Sequence, residues 1–336
     1  MEKESYYGLK QRADYAEGVG RLVGRRVAEA AEYRRARMLK GDKEKLRREF
    51  VNMLGWPLNM PEREKLDPIA VHTEILSDFN YMKCTRYTLE ILPGLPFYGI
   101  LFEPLKNASG SFVIALHGGW GSPEIAGGLL EDSANYNHMV ERIVKRGITV
   151  FAPQLLLWKT ETYGTEYDRL KTDCTLKQTG GSITSLEVFC IRRSLDYFIS
   201  AGRAALRHIG MIGMSYGGMY TLDTAAADKR IEATVVSCYF NDRIRYINED
   251  YAYFNQANTF LDAETAALVL PRRLYIEIPE KDTVFDYRLA LAEIERLLEY
   301  AEAENCSDSL KTKLFSGGHE LDKSDGGINF LADAIR

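Results

Sequence analysis

Several features that would place this chain in a particular class of protein are missing from its 336 residues. Its five cysteines are scattered without the paired spacing of a disulfide framework or a zinc motif, so we expect reduced thiols and no metal site built from them. No run of about 18 apolar residues occurs, which argues against a membrane-spanning helix. The first residues are charged and contain no apolar core, so we expect no signal peptide.

An excess of positive charge is also missing. The formal net charge is −5, which disfavours a nucleic-acid partner. Internal repeats and low-complexity tracts are also absent from the sequence. What remains is a globular protein that we expect to be cytoplasmic, and 46% hydrophobic residues are enough for one large core or two modest ones.

Residues 207–220 have the pattern of a strand, a sharp turn and a helix, with a serine at the turn. The apolar run Ile209–Met214 leads into Gly213-Met-Ser215-Tyr-Gly217, and a segment of small residues follows. A turn of this kind holds the serine in a cramped backbone conformation and needs glycine on both sides. The pattern predicts Ser215 as a nucleophile, with a glycine-rich turn that serves only packing as the alternative.

The chain divides into two regions of different pattern. Residues 1–65 predict a helical segment, in which Gly18, Gly20 and Gly24 favour two helices with a break over one long helix. We expect this segment to pack on the main domain or on a neighbouring subunit, so a homo-oligomer formed through the N-terminal helices is one possibility. Residues 66–336 predict a catalytic domain, in which early hairpin strands give way to alternating strands and helices.

A serine hydroxyl needs a general base and a group that orients the base. Of the five histidines, only His319 lies in a glycine-rich loop after the last predicted strand, where it could reach the edge of the sheet. Another strand end carries Glu280 and Asp282. We choose Asp282 as the acid and keep Glu280 in reserve, with two ordinary solvated carboxylates as the alternative. The order serine, acid, histidine along the chain matches one known order of triad residues.

A second glycine-rich loop, His117-Gly-Gly-Trp120-Gly, follows a buried-type strand. Glycines let backbone N–H groups approach a ligand closely, so the N–H of Gly119 or Trp120 could act beside that of Tyr216 as an oxyanion hole. The alternative is a flexible turn of no consequence. We expect His117 itself to be a structural hydrogen-bonding residue and not the base.

These segments together resemble the α/β-hydrolase superfamily over roughly residues 70–336, and within it the dienelactone-hydrolase-like and acetyl-xylan-esterase-like bacterial esterases. The resemblance is carried by Leu116-His-Gly-Gly119, Gly213-Met-Ser-Tyr-Gly-Gly218, Glu280-Lys-Asp-Thr-Val-Phe285 and Gly317-Gly-His-Glu320. It implies an α/β-hydrolase fold with a mostly parallel eight-stranded sheet, helices on both faces and an added N-terminal helical segment. It also implies Ser215 as nucleophile, Asp282 as acid and His319 as base, with neither a metal nor an organic cofactor.

The substrate predicted on this basis is a small-molecule carboxylic ester, with short-acyl or acetyl esters, including those of sugars, as candidates. Two alternatives stay open: a peptidase of the prolyl-oligopeptidase type, and a catalytically silent hydrolase fold that serves as a binding protein. Insertions at about 158–181 and 239–270 could shape the pocket. Their aromatic residues could line it or could simply pack a lid, and Arg243 and Arg245 are weaker candidates for meeting an acidic substrate.

Overall fold

The structure is a computed structural model that describes residues 2–61, 66, 69–79, 81–130, 135–157, 167–246 and 249–336. Nine strands form one mixed sheet in the order β1-β2-β3-β5-β4-β6-β7-β8-β9 within these residues. Antiparallel pairing joins β1 (Val71–Phe79), β2 (Met82–Leu92), β3 (Leu95–Pro104) and β5 (Thr149–Pro153). Pairing is parallel from β5 through β4 (Phe112–Leu116), β6 (Ile209–Met214), β7 (Ala233–Ser237), β8 (Arg273–Pro279) and β9 (Leu310–Phe315).

The mostly parallel sheet and the α/β class are confirmed, but the sheet has nine strands and not the predicted eight. The N-terminal edge of the sheet is formed by β1. There β1 pairs along its length with β2, from Val71 opposite Leu89 to Phe79 opposite Met82. The central strands β4 and β6 are buried at every position, as expected for a sheet that is covered on both faces.

Helices cover both faces of the sheet. In chain order they are α1 (Glu2–Lys40), α2 (Lys43–Leu54), α3 (Pro123–Ala126), α4 (Met139–Val144), α5 (Arg169–Gln178), α6 (Ile183–Ser200), α7 (Tyr216–Ala227), α8 (Asp262–Val269), α9 (Tyr287–Ala303) and α10 (Gly326–Ala334). One buried apolar cluster lies between the sheet and helices α6, α7, α8 and α9, and a second lies between the opposite face and helices α4 and α10.

The N-terminal segment contains two helices, but the break is not at its glycines. Helix α1 continues through Gly18, Gly20 and Gly24, and the chain leaves helical conformation only at Gly41 and Asp42. The Asp42 carboxylate then accepts the Lys45 N–H at 2.7 Å and starts α2. Individual glycines weaken a helix by about 1 kcal/mol each, which is too little to fix where a helix ends.

Helix α2 belongs to the hydrophobic core of the main domain. Leu46, Phe50 and Leu54 are buried in the same cluster as the sheet and α7. The proposed boundary at residue 65 falls outside the described residues, and so do residues 158–166 of the first insertion. In the second insertion α8 packs against α7 and α9 and connects β7 to β8.

A buried carboxyl group on α9 should make stability depend on pH. Glu293 is inaccessible to solvent, and burial together with the nearby Glu264 raises its pKa to about 8. The folded state keeps the Glu293 proton up to a higher pH than the unfolded chain does. The neutral carboxyl group therefore contributes fully to the free energy of unfolding below the pKa of the unfolded chain, and this contribution is lost as pH rises to about 8. Glutamine has no proton to lose, so near pH 9 we expect Glu293→Gln to have a higher free energy of unfolding than the wild type, by on the order of a few kcal/mol.

Urea unfolding of both proteins at pH 6 and pH 9 measures this difference. The matched control is Glu295→Gln, two residues along the same helix but exposed, which should leave the pH dependence unchanged. Equal losses of stability between pH 6 and pH 9 in the wild type and in Glu293→Gln would contradict the assignment.

Candidate active site

Ser215 stands at the sharp turn between β6 and α7, as the sequence predicts. Its backbone has φ 58° and ψ −127°, a conformation that L-residues adopt only when the surroundings enforce it. The Ser215 N–H donates to the Ser237 carbonyl at 2.9 Å, and its carbonyl accepts the Met219 N–H at 3.1 Å. The turn therefore fixes the serine between the sheet and the first turn of the helix.

The glycines on both sides of the serine are required because backbone atoms lie where a side chain would be. A Cβ at Gly213 would lie 2.2 Å from the Gly217 carbonyl oxygen, and a Cβ at Gly217 would lie 2.3 Å from the Leu116 carbonyl oxygen. Both contacts are far inside van der Waals distance. This packing brings the end of β4 and its glycine-rich loop against the turn.

We expect Gly217→Ala to destabilise the protein although alanine is the better helix former. The helical preference is worth about 1 kcal/mol, whereas overpacking against a fixed backbone costs about 1–3 kcal/mol or more. Calorimetry should show a clear fall in melting temperature. Gly318→Ala provides the control, because a Cβ there would meet nothing within 4 Å. An unchanged melting temperature in Gly217→Ala would show that the turn can open without cost.

The second pair of predicted residues is also brought together. His319 Nδ1 lies 2.8 Å from Asp282 Oδ2, and this carboxylate is only 1% exposed whereas the imidazole is 22% exposed. A buried carboxylate on one ring nitrogen fixes the tautomer of the imidazole, so the other nitrogen, Nε2, becomes the one that can exchange protons.

The structure separates the two candidate acids. The second oxygen of Asp282, Oδ1, accepts the backbone N–H groups of Val284 at 2.7 Å and Phe285 at 3.3 Å, so the carboxylate is held on both sides. Glu280 is exposed, and its backbone N–H pairs with the Phe315 carbonyl. Of the two, Asp282 is the residue in contact with the imidazole.

Glu277 holds the loop that carries His319 against the sheet, and the sequence analysis did not identify this residue. This side chain is buried on β8, and its Oε1 accepts both the Ser237 hydroxyl at 2.7 Å and the Asp322 N–H at 3.0 Å. Burial raises the pKa of Glu277. The sequence gives no signal for this role, because a glutamate within a strand usually faces solvent.

The loop after β4 lies directly against the serine. A Cβ built on Gly118 would be 3.2 Å from the Ser215 Cβ, and the Gly118 N–H donates to the Tyr136 hydroxyl at 2.8 Å. His117 is buried, its Nδ1 lies 2.8 Å from the Gly118 carbonyl, and its Nε2 accepts the Leu155 N–H at 2.9 Å. Burial lowers its pKa to about 4. His117 is thus a neutral structural residue, as expected.

A cavity of about 450 Å³ connects these parts. Ser215, His319, Gly119, Trp120 and Tyr216 all contribute to its wall. The rest of the wall is mainly aromatic and apolar, and consists of Gly118, Ile125, Asn135, Tyr136, Met214, Tyr239, Tyr246, Tyr251, Val284 and Phe285. Among the described residues, its lining includes no lysine, arginine, aspartate or glutamate, so the cavity suits an uncharged ligand.

The aromatic residues of the second insertion have both of the roles that the sequence left open. Tyr246 and Tyr251 line the cavity, whereas Tyr253 and Phe260 pack in the core. Phe254 is completely exposed. Trp158 and Tyr163 of the first insertion lie outside the described residues.

The two arginines considered for an acidic substrate do not reach the cavity wall. Arg243 is buried and pairs with Asp262 at 2.5 Å and with Asp223 at 3.5 Å, so its charge is already compensated. Arg245 is exposed and lies 3.6 Å from Asp242. The idea that they bind an acidic substrate is therefore dropped.

A buried polar cluster behind the turn was not predicted. Arg169 of α5 contacts Asp250 at 2.6 Å, Glu187 at 3.2 Å and the Tyr220 hydroxyl at 2.6 Å. The Tyr216 hydroxyl lies 3.2 Å from Asp250, so the residue next to the serine is linked through Asp250 to Arg169 of α5. Buried arginines are rare and depend on partners that are distant in sequence, so no local pattern could have identified this one.

The remaining histidines are absent from the described lining of the cavity. His208 contacts the Ile335 carbonyl at 2.9 Å, His138 lies 3.0 Å from Glu141 at the surface, and His72 is on the edge strand β1. No helix in the described part of the chain is long and apolar enough to cross a membrane.

Comparison with known proteins assigns the fold. The structure is similar to one from Bacteroides fragilis assigned as an acetyl xylan esterase (TM-score 0.65, 14% identity, 86% of this chain and 81% of that one). It is also similar to a glucuronoyl esterase from Solibacter usitatus (TM-score 0.63, 14% identity, 88% and 92%). A third is an acetyl xylan esterase from Paenibacillus sp. R4 (TM-score 0.60, 14% identity, 81% and 91%).

These similarities cover most of each chain and show that this protein has the α/β-hydrolase fold. No protein-family model matches the sequence, and no curated protein matches it either. At 14% identity the comparisons bear on the fold alone, so the activity has to be argued from the side chains of the site.

Proposed function

We propose that this protein is a serine hydrolase that cleaves carboxylic esters through an acyl-enzyme, with Ser215 as nucleophile, His319 as general base and Asp282 as the orienting acid. The observation that carries the proposal is the 2.8 Å contact between His319 Nδ1 and Asp282 Oδ2 beside a cavity whose wall also includes Ser215. The esterases of known structure with the same fold support the reaction class.

In the first step, the Ser215 hydroxyl oxygen attacks the ester carbonyl carbon while Nε2 of His319 takes the hydroxyl proton. The buried carboxylate of Asp282 holds Nδ1–H and stabilises the imidazolium that forms. Its two backbone N–H contacts keep it in place, so the pair needs little reorganisation when charge develops.

The negative charge on the carbonyl oxygen would be stabilised by backbone N–H groups at two positions. One is Tyr216, the first residue of α7, where the helix dipole also favours an anion. The other is Gly119 or Trp120, because the N–H of Gly118 already donates to Tyr136. When the intermediate collapses, the alcohol leaves with the proton held by His319.

Water then releases the acid. His319 takes a proton from a water molecule, the resulting hydroxide attacks the acyl carbon, and Ser215 leaves with the proton that the imidazole returns to it. The His319 imidazole takes up a proton and returns it in each half of the reaction, so it is neutral again when the next half begins. No step requires a metal or an organic cofactor.

The cavity favours an uncharged ester of modest size. Its wall is aromatic at Tyr246, Tyr251 and Phe285, and Trp120, which is 73% exposed, stands at its rim. Acetyl and other short-acyl esters would fit such a cavity, and an exposed indole is suited to pack against a sugar ring. We therefore place sugar acetates among the candidate substrates.

A panel of acetyl, butyryl, aryl and sugar esters, run beside a fluorophosphonate probe, tests the proposal. We expect the probe to label one serine and to inhibit hydrolysis in proportion to the labelling, and we expect acetyl esters to react faster than longer acyl esters. Absence of both labelling and hydrolysis would contradict the proposal and would favour a binding protein. Labelling without hydrolysis of any ester would show that the nucleophile is right and the substrate class is wrong.

A further inference from the structure

Most of helix α1 projects from the rest of the molecule. From Tyr6 to Arg26 every residue except Gly18 is exposed, and Gly18 is partly so. Among the residues whose side chains are described, the helix packs on its own domain near its C-terminal end, where Ala30, Arg34 and Met38 are buried and Arg34 contacts Glu264 at 2.8 Å. The projecting part is about 30 Å long at 1.5 Å per residue.

This projecting helix is poorly stabilised by its own sequence. Gly8, Gly18, Gly20 and Gly24 each cost about 1 kcal/mol relative to alanine. Contacts within the chain do not require them, because a Cβ at Gly8, Gly20 or Gly24 would meet nothing within 4 Å. Helices in proteins depend mainly on the packing of one face, so a helix of this composition needs a partner along its exposed length.

One face of the projecting part carries apolar or small residues at alternating spacings of three and four. This face, called the N-terminal seam, consists of Tyr6, Leu9, Ala13, Ala16, Gly20 and Val23. Three of its large side chains are strongly exposed: Tyr6 at 73%, Leu9 at 66% and Val23 at 54%. The same spacing continues to Val27, Ala30 and Arg34, so the seam extends the face that the domain covers.

We propose that the N-terminal seam pairs with the seam of a second copy of this chain in an antiparallel dimer. A twofold axis between Ala13 and Ala16 places Tyr6 opposite Val23 of the second copy and Leu9 opposite its Gly20. Leu9 then faces Gly20, Ala13 faces Ala16 at the centre, and the apolar pair of Tyr6 and Val23 closes each end of the contact. The pairing is isologous, since each residue repeats its contact across the axis.

Charge also matches across this arrangement. Lys10 and Glu17 flank the seam on the same side, and antiparallel pairing brings Lys10 of one copy beside Glu17 of the other, twice in the dimer. Both side chains are exposed, at 65% and 71%. Within its own helix Lys10 lies 4.0 Å from Asp14, and Glu17 pairs with Arg21. Exposed pairs of this kind are weak and can be shared.

The position of the domain excludes parallel pairing in register. The seam face beyond Val27 is covered by the domain of its own chain, so a parallel partner would need to bring its own domain into the same space. In the antiparallel arrangement residue 27 of the second copy lies level with residue 2, and each domain begins where the other helix ends. The projecting length of α1 matches what this pairing requires.

The first test is a matched pair of substitutions in the full-length protein. Val23 and Leu22 are neighbours and similarly exposed, at 54% and 50%, but only Val23 lies in the seam. Sedimentation velocity at about 10–50 μM should show a dimer for the wild type and for Leu22→Glu. In Val23→Glu we expect the dissociation constant to rise about 30-fold or more, because two glutamates enter an apolar contact.

The second test exchanges the flanking charges. Lys10→Glu and Glu17→Lys should each weaken the dimer about tenfold, and the double substitution should restore it. Effects confined to one helix cannot produce this rescue. The double substitution places like charges at residues 10 and 14 and again at 17 and 21, so it would be worse than either single change if only those contacts mattered.

A monomeric wild-type protein at these concentrations would overturn the proposal, and so would equal dissociation by Leu22→Glu and Val23→Glu. A monomer whose α1 binds vesicles of anionic lipid would assign the seam to a membrane surface instead. Ester hydrolysis per chain should be the same in Val23→Glu as in the wild type, since the cavity lies in the domain. Failure of the dimer proposal is thus distinguishable from failure of the proposed activity.

Discussion

Ser215→Ala should lower kcat/KM for a short-chain p-nitrophenyl ester by about 10⁴- to 10⁶-fold, because the acyl-enzyme cannot form without the hydroxyl. Labelling by a fluorophosphonate probe should disappear at the same time. Ser215 is buried and its backbone is fixed by contacts to Ser237 and Met219, so removing one oxygen atom should leave the fold and its melting temperature nearly unchanged. Loss of activity with an intact fold separates chemistry from stability.

The control is Ser316→Ala, an exposed serine at the base of the loop that carries His319. It should keep both hydrolysis and labelling. If Ser215→Ala retained more than about a hundredth of the wild-type rate, the nucleophile would be a different residue. If it lost hydrolysis but kept labelling, the probe would be reacting elsewhere and the labelled peptide would identify the site.

Asp282→Asn should reduce kcat by about 10⁴-fold while leaving KM within a few-fold. The asparagine amide can donate to Nδ1 and can then hold the imidazole in the wrong tautomer, so Nε2 would carry a proton where a base is needed. Glu280→Gln is the matched control, since the residue is exposed and lies two positions earlier in the same loop. We expect its kcat to stay within about threefold of the wild type.

The outcome of this pair decides which acid acts. A larger loss in Glu280→Gln than in Asp282→Asn would mean that the loop rearranges when substrate binds and that the reserve acid takes over. Steady-state kinetics on both variants, with circular dichroism to confirm folding, distinguish these results. Equal small losses would show that the 2.8 Å contact with His319 serves only structure.

Local patterns were sufficient for the parts of the protein that depend on neighbours along the chain. The turn around Ser215 follows from glycines at 213 and 217, because their backbone positions leave no room for a side chain. The alternation of buried strands with helices likewise predicts a mostly parallel sheet, whose carboxyl edge collects the loops of Ser215, Asp282 and His319. Asp282 was preferred to Glu280 on the sequence alone, with Glu280 kept in reserve.

Patterns failed where the physical cause was distant in sequence or too small to decide. Three glycines did not end α1, because a cost of about 1 kcal/mol per residue is too small to fix where a helix ends. The count of eight strands, which the family resemblance implied, was wrong by one, because the sheet has nine. Arg243 was considered for an acidic substrate, but it is buried against Asp223 and Asp262, partners that no local pattern could indicate.

By itself the sequence determined the fold class and the sharp turn at Ser215, and it singled out a hydroxyl, an imidazole and two carboxylates as candidates for ester hydrolysis. Only the tertiary structure decided which carboxylate meets the imidazole, how Arg169 and Glu277 support the site, and that the cavity wall is aromatic. The reason is that backbone propensities act over a few residues, whereas buried polar groups must be satisfied by whatever the fold brings beside them.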